Sequence, residues 1–332
     1  MSIFFSLSGF LITTILLLEI SKHHSIGLLR FYVRRMLRLW PALVALVIVI
    51  GGFTLVALHH QPTFRHHSLL GSLYALTYSG NWFRAFEGSG SLGFFGHTWS
   101  LAVEEQFYLV WPLLFLAGYS LFGRKGVLGA AVVGAVASMG LKLLFVSDPL
   151  GADRIYNGTD TAADQLLFGC ALAVLLLLQP EVIRRISSLF IGPALVGFVI
   201  LITHTFRGAF WTAYANTLLA LIGTCVIAFL ATHSEGKLSA VLSVRPLAYL
   251  GQISYGFYLW HVPIIHILQG HVATSMIRIP LAFVLSVIAA ALSFHLLEQP
   301  LLRWRDANKK WRGDGEEGRR VANLITSGSS SS

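Results

Sequence analysis

The sequence predicts an all-α integral membrane protein, a bundle of about nine transmembrane helices. Of the 332 residues, 55% are hydrophobic and 12% are charged, whereas soluble domains average about 25% charged residues. The mean hydropathy is +0.70, and apolar runs recur at lengths near the ~20 residues that cross a hydrocarbon core. The alternating strands of a transmembrane β-barrel are not visible. These observations exclude an ordinary soluble fold.

The apolar runs predict each helix in turn. The spans fall at 3–19, 36–58, 98–122, 127–147, 161–179, 189–205, 212–232, 248–268 and 279–299. A shorter apolar stretch, 68–83, contains Gly71 and Gly80, and it predicts a re-entrant or interfacial helix. We therefore expect one membrane domain at 1–302 and a disordered, basic and serine-rich tail at 303–332.

The net charge of +9 would suggest nucleic-acid binding in a soluble protein. Here most of the 24 Lys and Arg residues fall in loops on one side of the nine spans, and the exceptions are Arg65, Arg84, Lys142, Arg154, Arg207 and Arg278. The positive-inside rule makes that side cytoplasmic. We expect a multi-pass protein of the plasma (inner) membrane with a cytoplasmic C-terminus and Met1 outside, and no nucleic-acid partner.

A first polar cluster runs from His97 to Pro112. His97, Ser100 and Glu104 share one helical face, where a histidine and a carboxylate can exchange protons. Ionisable groups in membrane spans are costly, so each is a functional candidate. Glu105 points elsewhere around the helix. The alternative is that both acids lie at the outer interface and pair with a nearby arginine.

A second cluster lies on the eighth predicted span. Ser254, Tyr258 and His261 share a face, and Pro263 has no amide proton and clashes with the carbonyl of Leu259. A kink there would open space beside His261. The alternative is a histidine that bonds a neighbouring helix, at an ordinary proline kink.

A third cluster contains Arg34, Arg35 and Arg38 on the predicted cytoplasmic side. Their guanidinium groups project together from one helical turn and could bind a diphosphate. The alternative is that they only set the orientation of the chain or touch anionic lipid.

A fourth polar stretch, 148–165, lies on the predicted outer side and suits polyhydroxyl binding. We expect Arg154, Asp160 and Asp164, with His97, to contact the substrate. The alternative is a solvated loop in which Thr159 or Asp160 caps the next helix. The histidines at 59, 60, 66 and 67 lack the spacing of structural zinc ligands, so no metal site is predicted.

Together these phrases resemble acyltransferase family 3, the membrane-bound O-acyltransferases. The matching stretches are 4–13, 34–41, 97–112, 160–170, 254–263 and 293–300, and the string Trp-Ser-Leu-Ala-Val-Glu-Glu-Gln-Phe-Tyr at 99–108 is the most specific. The resemblance implies ten membrane helices and transfer of an acyl group, often acetyl, from cytoplasmic acyl-CoA to a hydroxyl of a saccharide or lipid-linked saccharide acceptor.

The resemblance also implies roles for particular residues. Arg35 and Arg38, next to Arg34, match an arginine motif proposed to hold the donor phosphates. The proposed catalytic residues match a serine-glutamate motif and a tyrosine-histidine motif, and they are Ser100, Glu104, Glu105, Tyr258 and His261. We expect an acceptor hydroxyl, deprotonated by a histidine, to attack the thioester directly, since no G-x-S-x-G nucleophile motif is present.

Two departures from the family pattern leave other readings open. The family normally opens with a further helix that carries an arginine and a histidine, the expected general base, and this chain begins one helix later. At 160–164 it has Asp-Thr-Ala-Ala-Asp where many members have an arginine at the third position. The alternatives are an inactive, truncated acyltransferase, or a transporter or flippase in which Glu104 and His261 relay protons.

Overall fold

The computed structural model describes residues 1–88, 90–148, 151–204, 208–272 and 274–307 of the chain. The helices, in chain order, are α1 (Ser2–His23), α2 (Leu28–Ala57), α3 (Pro62–Leu76), α4 (Gly80–Glu87), α5 (Trp99–Phe145), α6 (Gly151–Asn157), α7 (Thr159–Leu178), α8 (Pro180–Thr203), α9 (Ala209–Thr232), α10 (Lys237–Leu242), α11 (Arg245–Gln252), α12 (Ser254–Gln269), α13 (Ser275–Ser293) and α14 (Gln299–Ala307). A 3-10 helix, Gly93–Thr98, precedes α5, and a π-helical turn, Phe294–Glu298, joins α13 to α14.

Seven helical segments of the described chain are long and apolar enough to cross a bilayer. They are Ser2–His23, Leu28–Ala57, Gly93–Phe145, Gly151–Leu178, Pro180–Thr203, Phe210–Thr232 and Ser275–Trp304. The prediction of an all-α, multi-pass membrane protein is therefore confirmed.

Seven segments meet this length and hydropathy criterion, compared with nine predicted spans, for two local reasons. Helix α5 leaves helical geometry at Phe122 and Gly123, where Gly123 has φ +58°. The segment through it therefore covers two predicted spans, 98–122 and 127–147. The predicted span 248–268 is divided at Ile253 into α11 and α12, and α12 has 16 residues, fewer than the ~20 of a perpendicular span.

Two predicted segments have different boundaries in the structure. The stretch 68–83 is divided between α3, with 15 residues, and α4, with eight, so neither helix reaches the length of a span. At the other end, α14 continues to Ala307 and so extends into the predicted tail, whose residues 308–332 lie outside the described part of the chain.

The chain forms two compact units, and the division falls within α5. The first unit contains Met1–Ile26 and Val103–Val241, and the second contains Gly27–Ala102 and the described residues from Leu242 to Ala307. Along the chain, the second unit begins after α1, is interrupted by the first unit at Val103–Val241, and continues after α10.

In the first unit α1 packs against α7 and α9 through small residues. A Cβ added to Gly9 would lie 1.9 Å from the carbonyl oxygen of Leu166, and one added to Gly169 would lie 1.9 Å from that of Ser6. The Ser6 hydroxyl lies 3.0 Å from the carbonyl oxygen of Ala220 on α9. In lipid, helices associate through close packing at small residues and through interhelical hydrogen bonds, and both are present here.

In the second unit α2 forms the centre of an apolar core. Its buried face carries Leu43 and Leu46, which pack with Phe94 and Phe95 of the 3-10 helix and with Leu259 of α12. This core fixes the 3-10 helix against α12. As a result, the polar residues of the 3-10 helix lie close to the polar residues of α12.

Candidate active site

The second unit brings the first two predicted clusters into contact. The 3-10 helix and the start of α5 carry His97 and Ser100, and α12 carries Tyr258 and His261. The Ser100 and Tyr258 hydroxyl oxygens are 2.7 Å apart, and the Tyr258 hydroxyl donates to the carbonyl oxygen of His97. The imidazole centroids of His97 and His261 are 5.6 Å apart. Each cluster was predicted from the sequence, but their meeting was not.

The hydroxyl protons in this cluster have a defined order. Tyr258 has a single hydroxyl proton, and it is donated to the backbone of His97. The short contact between Ser100 and Tyr258 is then a bond in which Ser100 donates and Tyr258 accepts. Both protons are engaged in this arrangement, so the two hydroxyl groups hold the 3-10 helix against α12.

The contacts of His261 determine which ring nitrogen can accept a proton. Its Nδ1 lies 2.7 Å from the carbonyl oxygen of Tyr258 and 3.2 Å from that of Phe257. A carbonyl oxygen only accepts, so Nδ1 carries the proton and Nε2 keeps its lone pair in the neutral ring. Because the His261 side chain is only half-buried, Nε2 meets the first requirement of a general base.

His97 has the opposite arrangement. Its side chain is 9% exposed, and Nε2 lies 3.1 Å from the carbonyl oxygen of Leu259, so Nε2 carries the proton of that bond. The imidazole of His97 thus contacts the backbone of α12, whereas the sequence predicted a contact with substrate. The substrate-binding role remains a prediction, but this geometry favours a structural contact.

Glu104 lies in the first unit, at the centre of a buried hydrogen-bond cluster. Its carboxylate is 6% exposed, and it accepts hydrogen bonds from the hydroxyl groups of Ser8 on α1 and Tyr108 one turn along α5. The neighbouring Glu105 is half-buried. The side chains of these two adjacent acids were expected to point in different directions, and they differ in burial accordingly.

Sequence reasoning did not single out Ser8. Tyr108 ends the specific string at 99–108, and its i, i+4 spacing from Glu104 was the available signal. Ser8 stands in an apolar run of α1, far from Glu104 in sequence, so only the packing of α1 on α5 could identify it. That packing is also marked by a 2.9 Å hydrogen bond from the Trp111 indole to the Thr13 hydroxyl.

The fourth predicted cluster separates into two ion pairs within the first unit. Arg154 donates to both carboxylate oxygens of Asp160, at 2.8 and 2.6 Å. Asp160 lies in the first turn of α7, where the helix dipole favours a negative charge. The N-cap of α7 is Gly158 rather than the predicted Thr159 or Asp160.

Asp164 is fully buried in the second ion pair. Its Oδ2 accepts hydrogen bonds from Lys142 Nζ and Thr217 Oγ1, each at 2.6 Å, and all three side chains are at most 2% exposed. This ion pair joins α5, α7 and α9. Asp164 was predicted to bind substrate, but here its carboxylate forms an ion pair with Lys142. From the sequence, Lys142 was identified only as a basic residue that does not fall on the cytoplasmic side.

The predicted phosphate-binding arginines lie on α2 in the second unit. Arg34 and Arg35 are half-buried and Arg38 is exposed, and the Arg35 guanidinium lies 5.9 Å from the ring centre of Phe31. The buried carboxylate of Glu298, in the π-helical turn, interacts electrostatically with Arg38.

Comparisons with known proteins identify the family of this chain. The profile of a family described as an acyltransferase domain matches residues 1–297. The peptidoglycan O-acetyltransferase OatA of Listeria monocytogenes is 32% identical over 90% of this chain and 50% of the relative. The O-acetyltransferase OatA of Staphylococcus aureus is 29% identical over 90% of this chain and 51% of the relative.

The chain therefore spans about half the length of these relatives. No solved structure matches it. Because the family profile covers nearly all of the membrane helices and the relatives align along most of the chain, this protein belongs to acyltransferase family 3, the membrane-bound O-acyltransferases.

Proposed function

We propose that this chain transfers an acetyl group from acetyl-CoA to a hydroxyl of a cell-surface polysaccharide, with peptidoglycan as the favoured acceptor. Two relatives are named for O-acetyl transfer, and one of them for peptidoglycan. The observation that carries the proposal is His261, whose Nε2 retains a lone pair while Nδ1 is held by a backbone carbonyl 2.7 Å away.

The reaction needs one base and no covalent enzyme intermediate. The acceptor oxygen attacks the thioester carbonyl carbon while His261 Nε2 takes the hydroxyl proton. The carbon–sulfur bond then breaks, and the departing thiolate takes that proton from the imidazolium, so free thiol and an O-acetyl ester form and the ring is regenerated. A well-placed general base contributes about 10²–10⁴-fold to such a rate.

The other polar residues divide into supporting roles. Ser100 and Tyr258 hold the 3-10 helix against α12 through the bonds described above. Glu104 provides a fixed negative charge in the first unit, because Ser8 and Tyr108 orient its carboxylate. Such a charge, buried within membrane helices, is costly and is retained where function requires it.

The donor is proposed to bind from the cytoplasm at the arginines of α2. Acetyl-CoA carries a diphosphate and a further phosphate, and guanidinium groups bind phosphate oxygens in pairs. Arg34, Arg35 and Arg38 lie on adjacent turns of one helix and are at least partly exposed. The excess of basic residues in alternate loops supports a plasma-membrane protein with these arginines and the C-terminus inside.

Release of free thiol from acetyl-CoA by membranes that contain the chain tests this proposal. We expect His261→Gln to lower the rate at least about 100-fold at equal protein level. The matched control is His271→Gln, since His271 is exposed just beyond α12 and its ring lies 2.8 Å from the backbone carbonyl oxygen of Ile267. An unchanged rate in His261→Gln would remove His261 from the site. Solute transport without thiol release would favour a transporter instead.

A further inference from the structure

Pro263 leaves one carbonyl group of α12 without its normal partner. In an α-helix the carbonyl of Leu259 would accept a hydrogen bond from the amide of residue 263, but proline has no amide proton. Leu259 is fully buried. Within a membrane protein no bulk water replaces such a donor, so the carbonyl must be satisfied by another group.

The imidazole of His97 occupies the place of the missing amide. Its Nε2 lies 3.1 Å from the Leu259 carbonyl oxygen, and the side chain is almost completely buried in the same unit. The bond crosses between segments that are 162 positions apart in sequence. Of its chain neighbours, Gly96 has no side chain and the Thr98 hydroxyl donates to the carbonyl oxygen of Phe95, so the donor in this contact is the histidine.

A second hydrogen bond runs in the opposite direction. The Tyr258 hydroxyl donates to the backbone carbonyl of His97. The 3-10 helix thus donates to a backbone carbonyl of α12, and α12 donates to a backbone carbonyl of the 3-10 helix. Both bonds involve the helical turn of α12 that directly precedes His261. That same turn holds the ring of His261, because its Nδ1 bonds the carbonyl oxygen of Tyr258 at 2.7 Å.

We propose that His97 is a positioning residue for His261. By donating to the carbonyl that Pro263 leaves unpaired, it holds the kinked turn in the geometry that directs His261 Nε2 towards the acceptor. This inference rests on the proposed acetyl transfer, and it replaces the predicted contact between His97 and substrate. His97 itself takes up no proton from the reaction.

A double-mutant cycle between His97 and Pro263 tests this inference by thiol release. In Pro263→Ala the helix regains the amide that bonds Leu259, so the donor from His97 is no longer needed. We expect His97→Ala to lower kcat about tenfold in the parent chain, with KM nearly unchanged, and to have much less effect in the Pro263→Ala background. His97→Gln, whose side-chain amide can still donate, should recover part of the loss.

Pro280 provides the matched control, because it lies inside α13 of the same unit. His97→Ala should have the same effect in the Pro280→Ala background as in the parent chain. An equal loss in the Pro263→Ala background, or a rise in KM without a fall in kcat, would mean that His97 contacts substrate, and this would overturn the inference.

Thermal unfolding of the same variants separates the two proposals. If the parent chain releases no thiol, the proposed acetyl transfer is wrong. The hydrogen bond would still be supported if the effect of His97→Ala on the midpoint of thermal unfolding is smaller in the Pro263→Ala background. Absence of that coupling would refute the bond itself. Coupling in the midpoint with full activity in every variant would leave a purely structural contact and overturn the positioning role.

Discussion

At the scale of residues, several buried polar side chains are held by specific hydrogen-bond partners. Glu104 is the clearest case, because two hydroxyl groups from α1 and α5 donate to its carboxylate. Hydrogen bonds to a charged group contribute about 1.5–3 kcal/mol, more than those between neutral groups. These two bonds hold the carboxyl group in one orientation.

Glu104→Gln is expected to abolish thiol release without loss of expression, since the amide keeps the shape but removes the charge. Glu181→Gln, at an exposed position in the first turn of α8, serves as the control and should retain the rate. Thiol release from acetyl-CoA at equal protein level measures both. A fully active Glu104→Gln enzyme would exclude this carboxylate from the reaction.

The ion pair of Lys142 and Asp164 gives a second prediction at this scale. Lys142→Met should lower the free energy of unfolding by about 3–5 kcal/mol, because it leaves the buried carboxylate uncompensated. The double substitution Lys142→Met with Asp164→Leu should recover much of that loss. Unfolding of the detergent-solubilised protein measures both, with exposed Lys125→Met as the control. Equal destabilisation of the single and double variants would show that the charges are not coupled.

At the scale of elements, the membrane helices are joined by close backbone approach where glycine permits it. The crossing of α1 and α7 has such a contact in both directions, at Gly9 and at Gly169. Neither helix is strongly amphipathic in sequence, since both are apolar around most of their surface. The crossing point is therefore set by small residues rather than by a polar and an apolar face.

Gly169→Ala should destabilise the protein by about 1–3 kcal/mol, because its Cβ would lie 1.9 Å from the carbonyl oxygen of Ser6 and push α1 away from α7. Gly192→Ala on α8 is the matched control. A Cβ there meets nothing within 4 Å, so it should be neutral or stabilise the helix by up to about 1 kcal/mol. If both variants unfold at the same temperature, the close approach has no energetic importance.

The sequence predicted the type of most elements but not their contacts. Apolar runs of membrane length can only be helices, because lipid offers no partner for open backbone groups. The break of α5 at Gly123 was likewise foreseen, as a boundary between two spans. The meeting of Ser100 with Tyr258, and of Lys142 with Asp164, depends on tertiary packing and was missed. Lys142 did give a signal, since a lone cation in a span requires a buried counter-charge.

At the scale of the whole molecule, the placement of basic residues predicts orientation. The segments at Arg34 and at Lys125 are expected on the cytoplasmic side, and the segment at Glu87 outside. Single cysteines at 125 and at 87, in a chain without Cys170 and Cys225, should differ in labelling. A membrane-impermeant thiol reagent should label position 87 in intact cells and position 125 only after permeabilisation. The reverse pattern would place the arginines of α2 outside and exclude a cytoplasmic donor there.

The central claim is acetyl transfer from a CoA thioester to a saccharide hydroxyl with His261 as the base. Its most direct test is to supply membranes with acetyl-CoA labelled in the acetyl group and a polysaccharide acceptor, and to follow the label. We expect a base-labile O-acetyl ester on the saccharide in equal amount to the thiol released, and neither product from His261→Gln. Thiol release without ester formation, or ester formation that persists in His261→Gln, would contradict the account.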